Sequence, residues 1–462
     1  MLSSWLRKKP IQPQSHESAL QRTLNAFDLT MFGIGAIIGA GVFVITGIAA
    51  ATKGGPAIVI SYVIAGIAAL FAALAYTELA SSIGGTGSAY SYAYTGFGEI
   101  VAWLIGWDLL LEYAMSVSTV AIGWAGYVNN FLVAINIHLP AMITKNPFEG
   151  GAINLLAVSI IIAISTILCL GIKQSARFNT AVVFIKLITI AVFILVAVKH
   201  VDIQNWSDFL PFGWNGVMQG AALVFFAYIG FDAVSTAVEE TINPQRNIPI
   251  GIIGSLIGCT IIYIIVSALL TSIVSYTKLN VGSPVADALL QLGHHTAAGL
   301  IAAGAIAGLT TVILVMSYGL SRICLAIARD GLLPIALGKI NLRTHTPIRI
   351  AILTGAIMAI AAGLVPIEYA AELVNIGTLA AFVFVCLGVI ILRHTHPDME
   401  RPFKLPFNPI LPSLGILFCL YLMLNLSHIT WLRFAIWMGI GLVIYLAYGQ
   451  RHSVLGDKNI SK

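Results

Sequence analysis

Four ionisable side chains stand inside long apolar runs of this sequence, where a charge is costly unless it has a partner or a task. Lys186 follows the apolar run AVVFI, and Asp232 closes the segment FFAYIGFD. Asp108 and Glu112 are four residues apart, so they lie on one face of a helix. A lysine at membrane depth costs about 2.5–3.5 kcal/mol on insertion scales. A role as proton carrier would explain why a lysine occurs there in spite of this cost. Its ammonium group can also occupy the place where another protein would hold a sodium ion.

These residues also have structural interpretations. Lys186 can extend its chain toward the lipid headgroups, although it lies near the middle of its apolar run. Asp108 and Glu112 can pair with hydroxyl groups, with the backbone or with each other inside a helix bundle. We hold both interpretations open for these two acids, and we expect functional roles for Lys186 and Asp232.

Glycines interrupt two of the apolar segments. The first segment contains GIGAIIGAGVF, with glycines at positions 33, 35, 39 and 41, and the sixth contains Gly230 directly before the acid–bearing pair FD. Each glycine costs about 0.5–1 kcal/mol in a helix interior. Close packing of small residues between helices is the alternative explanation. Two such places together predict that the backbone unwinds in both segments.

Unwound backbone at membrane depth suits the chemistry of an amino acid, whose carboxylate and ammonium groups cannot enter hydrocarbon unpaired. Free N–H groups after a break around Gly39 and Gly41 would receive the carboxylate, helped by the helix dipole. Free carbonyls near Ile37, Ala227 and Ile229 would accept hydrogen bonds from the ammonium group. Backbone would thus recognise the part that all amino acids share.

Side chains near the breaks could recognise the rest of a substrate. Phe226 is a candidate aromatic lid, although packing is the common role of a membrane phenylalanine. Met316, Ser317 and Ser321 in the eighth segment are candidates to face a central cavity, with Met316 lining the substrate's side-chain pocket, although methionine often only fills space. Glu239 and Glu240 lie near the end of the sixth segment, where a gate or a helix-end contact is expected rather than substrate binding.

Composition shows what must hold these residues in place. The chain has 462 residues, of which 58% are hydrophobic and 9% charged, against roughly a quarter charged in a soluble domain. A bilayer core needs about 20 apolar residues per helix, and such runs recur along the chain. The sequence therefore predicts an all-α integral membrane protein. About twelve transmembrane helices are expected, near residues 27–50, 57–80, 99–130, 152–172, 178–199, 216–240, 249–274, 297–328, 347–364, 368–392, 411–427 and 429–449.

Charge distribution predicts the orientation of these spans. Most of the 24 lysine and arginine residues fall in the loops of one side, and the positive-inside rule places that side and both termini in the cytoplasm. The interrupted spans are first and sixth of twelve, which suggests inverted repeats at about 27–199 and 216–392, followed by two extra helices at about 411–449. The predicted limits are 1–26 for a cytoplasmic segment, 27–449 for a single membrane domain and 450–462 for a cytoplasmic tail.

Other classes of membrane protein fit less well. An embedded enzyme is a remote alternative, because motifs such as HExxH and GxSxG do not occur in the spans. A channel would need repeated polar residues along its pore, and the ionisable residues here are isolated. The net charge of +5 is spread over the loops, which topology explains better than nucleic acid binding. We expect no metal site and no cofactor, with the proton as coupling ion.

Five short motifs occur in the sequence in a fixed order. The ordered set is far more specific for a protein family than any one of the motifs. They are Leu29–Phe43 (GxGxxxGxGVF within it), Gly106–Tyr113 (GWDLLLEY), Glu239–Ile250 (EETINPQRNIPI), Ser321–Pro334 (SRICLAIARDGLLP) and Arg401–Pro406 (RPFKLP). From about Leu24 to Pro409, the chain thereby resembles the amino acid–polyamine–organocation (APC) superfamily, and within it bacterial homologues of the cationic amino acid transporter (CAT) family. The resemblance implies a LeuT-like fold, a five-plus-five inverted repeat with broken helices 1 and 6 and two extra helices, working by alternating access.

The resemblance also implies roles for individual residues. Phe226 matches the aromatic gate, and Lys186 matches the lysine that replaces a sodium ion in proton-coupled members. Met316 and Asp232 match positions that shape the side-chain subsite, and Glu112 is a further acid that could pair with a cationic side chain. The implied carboxylate site is Ile38, Gly39, Ala40, Gly41 and Val42, and the implied amino-group site is Ile37, Ala227 and Ile229.

The function expected from this pattern is secondary active transport of L-amino acids, by proton-coupled symport. Neutral substrates such as alanine, cationic ones such as arginine and lysine, or both, fit the residues. The alternatives within the superfamily are polyamine transport and amino acid exchange. We expect a multi-pass protein of the plasma membrane whose partners are the small-molecule substrate and lipid, and the sequence specifies no accessory subunit.

Overall fold

A computed structural model describes residues 7–9, 24–83, 88–170, 176–341 and 346–457. Most of these residues are helical, and their one strand-like pairing is an isolated bridge between Leu24 and Thr241. The α-helices of eight or more residues in this part of the chain are α1 (Ala26–Ile37), α2 (Ile58–Ile83), α3 (Ser88–Gly96), α4 (Glu99–Ala134), α5 (Leu155–Leu170), α6 (Ala176–Ala197), α7 (Gly213–Val224), α8 (Pro244–Ile273), α9 (Pro284–Gln291), α10 (His295–Arg329), α11 (Ile348–Leu364), α12 (Ile367–Thr395), α13 (Ile410–Leu424) and α14 (His428–Ile444).

Each predicted apolar segment coincides with helical structure. Eight helical stretches of the described residues are long and apolar enough to cross a bilayer: Gly41–Ile83, Glu99–Val133, Thr180–His200, Gly213–Ser235, Pro244–Ile273, His295–Arg329, Ile367–Thr395 and His428–His452. Helices α1, α5, α11 and α13 are apolar but shorter. The chain is therefore a multi-span membrane protein with an all-helical fold.

The sequence analysis missed two short helices, α3 and α9. Both are too short to cross a bilayer, and tyrosine and polar residues make α3 unlike an apolar span. Tertiary packing buries them: α3 lies against α4 and α12, and α9 against the start of α10. The contact of α9 with the first apolar segment is close, since a Cβ added at Gly47 would lie 2.6 Å from Cγ of Pro284.

The two predicted interruptions are present. Helix α1 ends at Ile37, Ile38 is extended with φ −74° and ψ 100°, and helical structure resumes at Gly41. Helix α7 ends at Val224, continues as one tighter turn and is broken at Gly230, whose φ is +114°. Glycine suits that left-handed backbone because it has no side chain to clash.

The interrupted segments lie at the centre of the bundle. Helix α1 packs against α6 and α8 and against the turns at Phe231–Glu240 that follow the second break. Helix α4 runs along α10 and α12 beside them, and α10 also packs on α6. Residues from α4, α6, α8 and α10 can therefore reach both breaks.

Glu78 near the end of α2 fixes one end of the bundle. Its carboxylate is 1% exposed and accepts hydrogen bonds from Nε of Arg393 (2.8 Å) and Nη2 of Arg393 (2.5 Å). The Leu405 backbone amide donates to the same carboxylate at 2.8 Å, and Nε of Arg401 lies 3.5 Å away. Glu78 thus joins α2 to the end of α12 and to the RPFKLP loop.

Replacing Glu78 by glutamine is expected to lower the melting temperature of the purified protein, followed by tryptophan fluorescence. Removing one partner of a fully buried ion pair lowers the free energy of unfolding by about 3–5 kcal/mol. The loss is expected to be smaller here because the Arg393 side chain is 21% exposed. Glu400→Gln, at an exposed position, is the matched control. Equal melting temperatures for Glu78→Gln and the unaltered protein would contradict this role.

Candidate functional site

The two interrupted segments touch each other at their breaks. A Cβ added at Gly41 would lie 2.5 Å from Cβ of Ala227, and one added at Gly230 would lie 2.9 Å from the carbonyl oxygen of Ala36. Neither distance is one that a real Cβ adopts. The first contact therefore needs glycine for close approach, and the second needs it for approach and for backbone conformation.

A tyrosine hydroxyl joins the two breaks. The hydroxyl of Tyr263 on α8 lies 2.9 Å from the Ile37 carbonyl oxygen and 2.8 Å from the Ala227 carbonyl oxygen. These are two of the three carbonyls predicted to accept from a substrate ammonium group. Because one hydroxyl proton serves two carbonyls, and each carbonyl has two lone pairs, both retain capacity for another donor.

A second tyrosine contacts the start of the resumed helix. The hydroxyl of Tyr62 donates to the Gly41 carbonyl at 3.2 Å and lies 2.6 Å from the hydroxyl of Thr46. Tyr228 donates to the Tyr62 carbonyl at 2.7 Å. The rings of Tyr62, Tyr228 and Tyr263 pack together with centroids 5.4–6.3 Å apart. An aromatic cluster therefore supports both breaks from the α2 and α8 side.

Lys186 supports the first break from the opposite side. Its Nζ donates to the carbonyls of Gly35 (2.8 Å) and Ile38 (3.0 Å). The side chain is 0% exposed, and its stem packs on Gly308, where an added Cβ would lie 2.9 Å from Cε of the lysine. The snorkelling interpretation is therefore wrong, because the amine points into the bundle. A cation there also faces the negative end of the α1 dipole.

The predicted acids lie beside the second break, in unequal surroundings. Oδ2 of Asp232 accepts a hydrogen bond from the Tyr113 hydroxyl at 3.1 Å. Glu112 lies close enough to interact electrostatically with Asp232 and Asp108. Within the described part of the protein, no hydrogen bond of 3.5 Å or less reaches either carboxylate oxygen of Glu112 or Oδ1 of Asp108, although the Thr378 side chain lies near Glu112. The structure thus does not show the mutual pairing that was held open for Asp108 and Glu112.

One face of α10 passes along the first break and then reaches the acids. A Cβ at Gly39 would be in ordinary contact with Val312, at 3.5 Å from its Cγ2. Met316 follows one turn later on the same face. Gly319 then faces Tyr113, whose Cε1 would lie 2.9 Å from an added Cβ. Met316 therefore stands between the α1 break and the tyrosine that holds Asp232.

Ser317 has different neighbours from Met316. Its hydroxyl lies 4.0 Å from Sδ of Met358 on α11, which places it on a different face of α10 from Met316. Successive residues on a helix are separated by about 100°, so the neighbour of a site residue seldom shares its surroundings. The side chains of Glu239 and Glu240 lie outside the described residues.

The site is closed to solvent in this structure. The candidate residues come from five segments, namely the two interrupted ones and helices α4, α6 and α10, and all are buried. Phe226, the candidate gate, lies in the tight turn before Ile229 and is 6% exposed. The residues concerned are Ile37, Ile38, Gly39, Ala40, Gly41, Val42, Glu112, Lys186, Phe226, Ala227, Ile229, Asp232 and Met316.

The sequence analysis missed the tyrosines, of which Tyr263, Tyr62 and Tyr113 bond to site atoms. The sequence does contain a feature that points to these tyrosines. A phenol in an apolar run must find an acceptor for its hydroxyl, because no water is available at that depth. The sequence shows which tyrosines lie in such runs, but it does not show the acceptor.

Comparison with known proteins identifies the family of the chain. The family model described as amino acid permease matches residues 24–445. The chain is 48% identical over 459 residues to the methylthioribose transporter of Bacillus subtilis (strain 168), covering 98% of this chain and 100% of that protein. It is 48% identical over 469 residues to the branched-chain amino acid permease BcaP of the same organism, and the match covers 99% of this chain and 100% of that protein. It is 31% identical to cationic amino acid transporter 1 of Arabidopsis thaliana, and the match covers 93% of this chain and 82% of that protein. The family and these names indicate a transporter and not an enzyme.

Replacing Gly41 by alanine is expected to abolish substrate uptake into proteoliposomes, because the methyl group would force the two interrupted segments apart at Ala227. Gly258→Ala on α8, where an added Cβ meets nothing within 4 Å, is the matched control and should keep uptake. Gel filtration in detergent checks that both variants are folded. Normal uptake by a folded Gly41→Ala variant would show that the close approach is not required.

Proposed function

The chain belongs to the amino acid permease family, and on this premise we propose that it takes up L-amino acids together with protons by alternating access. The observation that supports the proposal most directly is the meeting of two interrupted helices around Tyr263 and Lys186. Twelve spans, an inverted repeat of LeuT type, cytoplasmic termini and a plasma membrane location are parts of the same proposal. The proton is its only coupling ion.

The backbone at the breaks is proposed to bind the part common to all amino acids. The Ile37 and Ala227 carbonyls lie side by side at Tyr263 and can each accept one more donor, which suits an ammonium group. Ile229 adds a third carbonyl near the second break. The helical segment that resumes at Gly41 has N–H groups without an intrahelical acceptor. Those of Gly39 to Val42 are proposed to receive the carboxylate, since the Ile38 N–H already donates to the Ile34 carbonyl at 2.9 Å.

The closed state is proposed to be one stage of transport. The substrate groups are buried from both sides, so a path must open on each side in turn. Phe226 lies directly before Ala227 and within the second break, where a small rotation of the turn would uncover the carbonyl behind it. This position supports its role as the gate.

Lys186 is proposed to couple protons to the substrate. Its protonated amine supplies charged donors to the Gly35 and Ile38 carbonyls, and loss of the proton would remove the positive charge from the end of α1. Proton binding and amino acid binding would then both stabilise one arrangement of the same break. Two ligands that favour the same state bind cooperatively.

Substrate choice is proposed to depend on Met316. A neutral side chain that points from the break toward α10 would meet this apolar residue. Asp232 and Glu112 lie beyond it, and the unpartnered oxygens of Glu112 could serve a cationic side chain. Neutral amino acids, including branched-chain ones as in the name of one relative, are the expected main substrates. Cationic ones are expected to be weaker.

A second candidate substrate is suggested by the relative named as a methylthioribose transporter. Methylthioribose has neither an ammonium nor a carboxylate group, so only its hydroxyls could use the free carbonyls and amides of the breaks. The charged ends of an amino acid use these groups more fully, since hydrogen bonds that involve a charge are about twice as strong. We therefore rank it second.

The test is uptake of labelled alanine, leucine and arginine into proteoliposomes without sodium, with and without an inward proton gradient. Uptake that the gradient stimulates, and that unlabelled amino acids but not methylthioribose suppress, is expected. Suppression by methylthioribose alone would favour the second candidate. Amino acid exchange that no gradient accelerates would replace symport by exchange.

Lys186→Ala and Lys186→Arg are expected to lose stimulation by the proton gradient while amino acid exchange between the two sides continues. Alanine removes the titrating group, and arginine keeps the donors but does not release its proton, which also guards against misfolding of the alanine variant. Lys199→Ala, at an exposed position just past the same helix, is the control. Undiminished stimulation in a folded Lys186 variant would exclude Lys186 as the coupling residue.

Met316→Ser is expected to raise the ratio of arginine to alanine uptake by about tenfold, the scale of a small change in pocket contacts. The shorter polar side chain would open the way from the break to Asp232 and Glu112. Met142→Ser, at an exposed position, is the control. An unchanged ratio would place the substrate side chain elsewhere.

A further inference from the structure

Two histidines face each other away from the substrate site. His200 ends the short turn after α6, and His294 is the residue before α10. Their Nε2 atoms are 3.1 Å apart, and their ring centroids are 4.7 Å apart. Both side chains are half-buried, so ions can reach them from water. The proposed transport mechanism does not use this pair.

The tautomer of His200 is fixed by its other ring nitrogen. Nδ1 lies 3.0 Å from the carbonyl oxygen of Val196. A carbonyl oxygen can only accept, so Nδ1 carries the proton of that hydrogen bond. In the neutral ring, Nε2 then presents its lone pair toward His294. Donation of the second ring N–H to a backbone carbonyl is the usual support of a metal-bound histidine.

The spacing of the two Nε2 atoms fits a shared metal ion. Metal–nitrogen bonds to histidine are about 2.0–2.1 Å long. Two such ligands on one tetrahedral or square-planar ion are then about 2.9–3.4 Å apart, and the observed separation of 3.1 Å falls within this interval. The backbone holds His294 in place, since its N–H donates to Leu289 at 2.9 Å and its carbonyl accepts from Ala298 at 3.0 Å.

We propose that His200 and His294 form a binding site for a divalent transition-metal ion that prefers imidazole, such as Zn²⁺, Ni²⁺ or Cu²⁺. Oxygen-preferring ions such as Mg²⁺ and Ca²⁺ do not suit two nitrogen ligands. The two histidines supply two ligands, and water completes the coordination. In the absence of metal, one imidazole donates to the other.

The site joins α6 to α10 at the end of the molecule remote from Lys9 and Val454. Helix α10 has 35 residues, about 52 Å at 1.5 Å per residue. At its other end, Asp330 bonds Lys9 at 2.9 Å and accepts from the Val454 amide at 3.1 Å. Along the same pair of helices, Lys186 packs on Gly308 and Thr189 on Gly304. A bound ion would therefore bridge the ends of two helices that contact each other around Lys186.

The test is isothermal titration calorimetry of Zn²⁺ and Ni²⁺ into the purified full-length protein, carrying no histidine tag. One saturable site per chain is expected. Loss of a mere hydrogen-bond partner of a bound histidine weakens metal affinity about 10–100-fold. His200→Ala and His294→Ala should therefore each weaken binding at least about tenfold, and the double variant should show no saturable site.

His295→Ala, next in sequence, and His138→Ala, in another loop, are the controls, since both side chains are exposed. Each should bind metal as the unaltered chain does, and melting temperatures measured without metal should show that all variants are folded. Absence of saturable binding, or binding that survives His200→Ala and His294→Ala, would overturn the proposal and leave only a hydrogen bond between the histidines. Neither result depends on transport, so the proposed function is tested separately.

Discussion

An unpaired backbone carbonyl or amide is very costly in hydrocarbon, and this constraint organises the centre of the molecule. Interrupting α1 at Ile37 frees backbone groups that no neighbouring turn can satisfy. Side chains from other helices supply the missing donors: Tyr263 to the Ile37 carbonyl and Lys186 to the Ile38 carbonyl. The breaks, and the helices that carry these donors, must therefore be positioned together for the chain to fold.

The same requirement explains how a break can be both stable and responsive. Each donor from the protein leaves a carbonyl lone pair free, so an ammonium group can be added without breaking the existing hydrogen bonds. Tyr263 contacts both interrupted segments, so a single hydroxyl links the two breaks. The proposed substrate and the proposed coupling proton thus act on one set of backbone groups.

Two buried carboxylates show the difference between a structural acid and an available one. Glu78 is surrounded by two arginines and a backbone amide, so its oxygens are fully used in holding helix ends together. Glu112 is equally buried, but neither of its oxygens has a hydrogen-bond partner in the described part of the chain. Buried polar atoms rarely lack a hydrogen-bond partner. Protonation of the carboxylate, a water molecule or a substrate group could each supply the missing interaction.

The sequence by itself determined the features that depend on local composition. Apolar length located the membrane segments, the glycines at 39, 41 and 230 located the two interruptions, and the depth of Lys186 in its run marked it as unusual. These properties belong to one segment at a time, since hydropathy and glycine content need no knowledge of neighbours. The broken helices and the central lysine were therefore predictable.

Tertiary structure alone decided which groups meet. Tyr263 and Ile37 are 226 positions apart in the chain, and nothing local links the phenol to that carbonyl. The burial of α3, the turn of Ser317 toward Met358 and the facing of His200 and His294 likewise follow from how helices pack. Hydrogen bonds are directional and short, so their partners are set by the three-dimensional arrangement and cannot be inferred from the properties of a single segment.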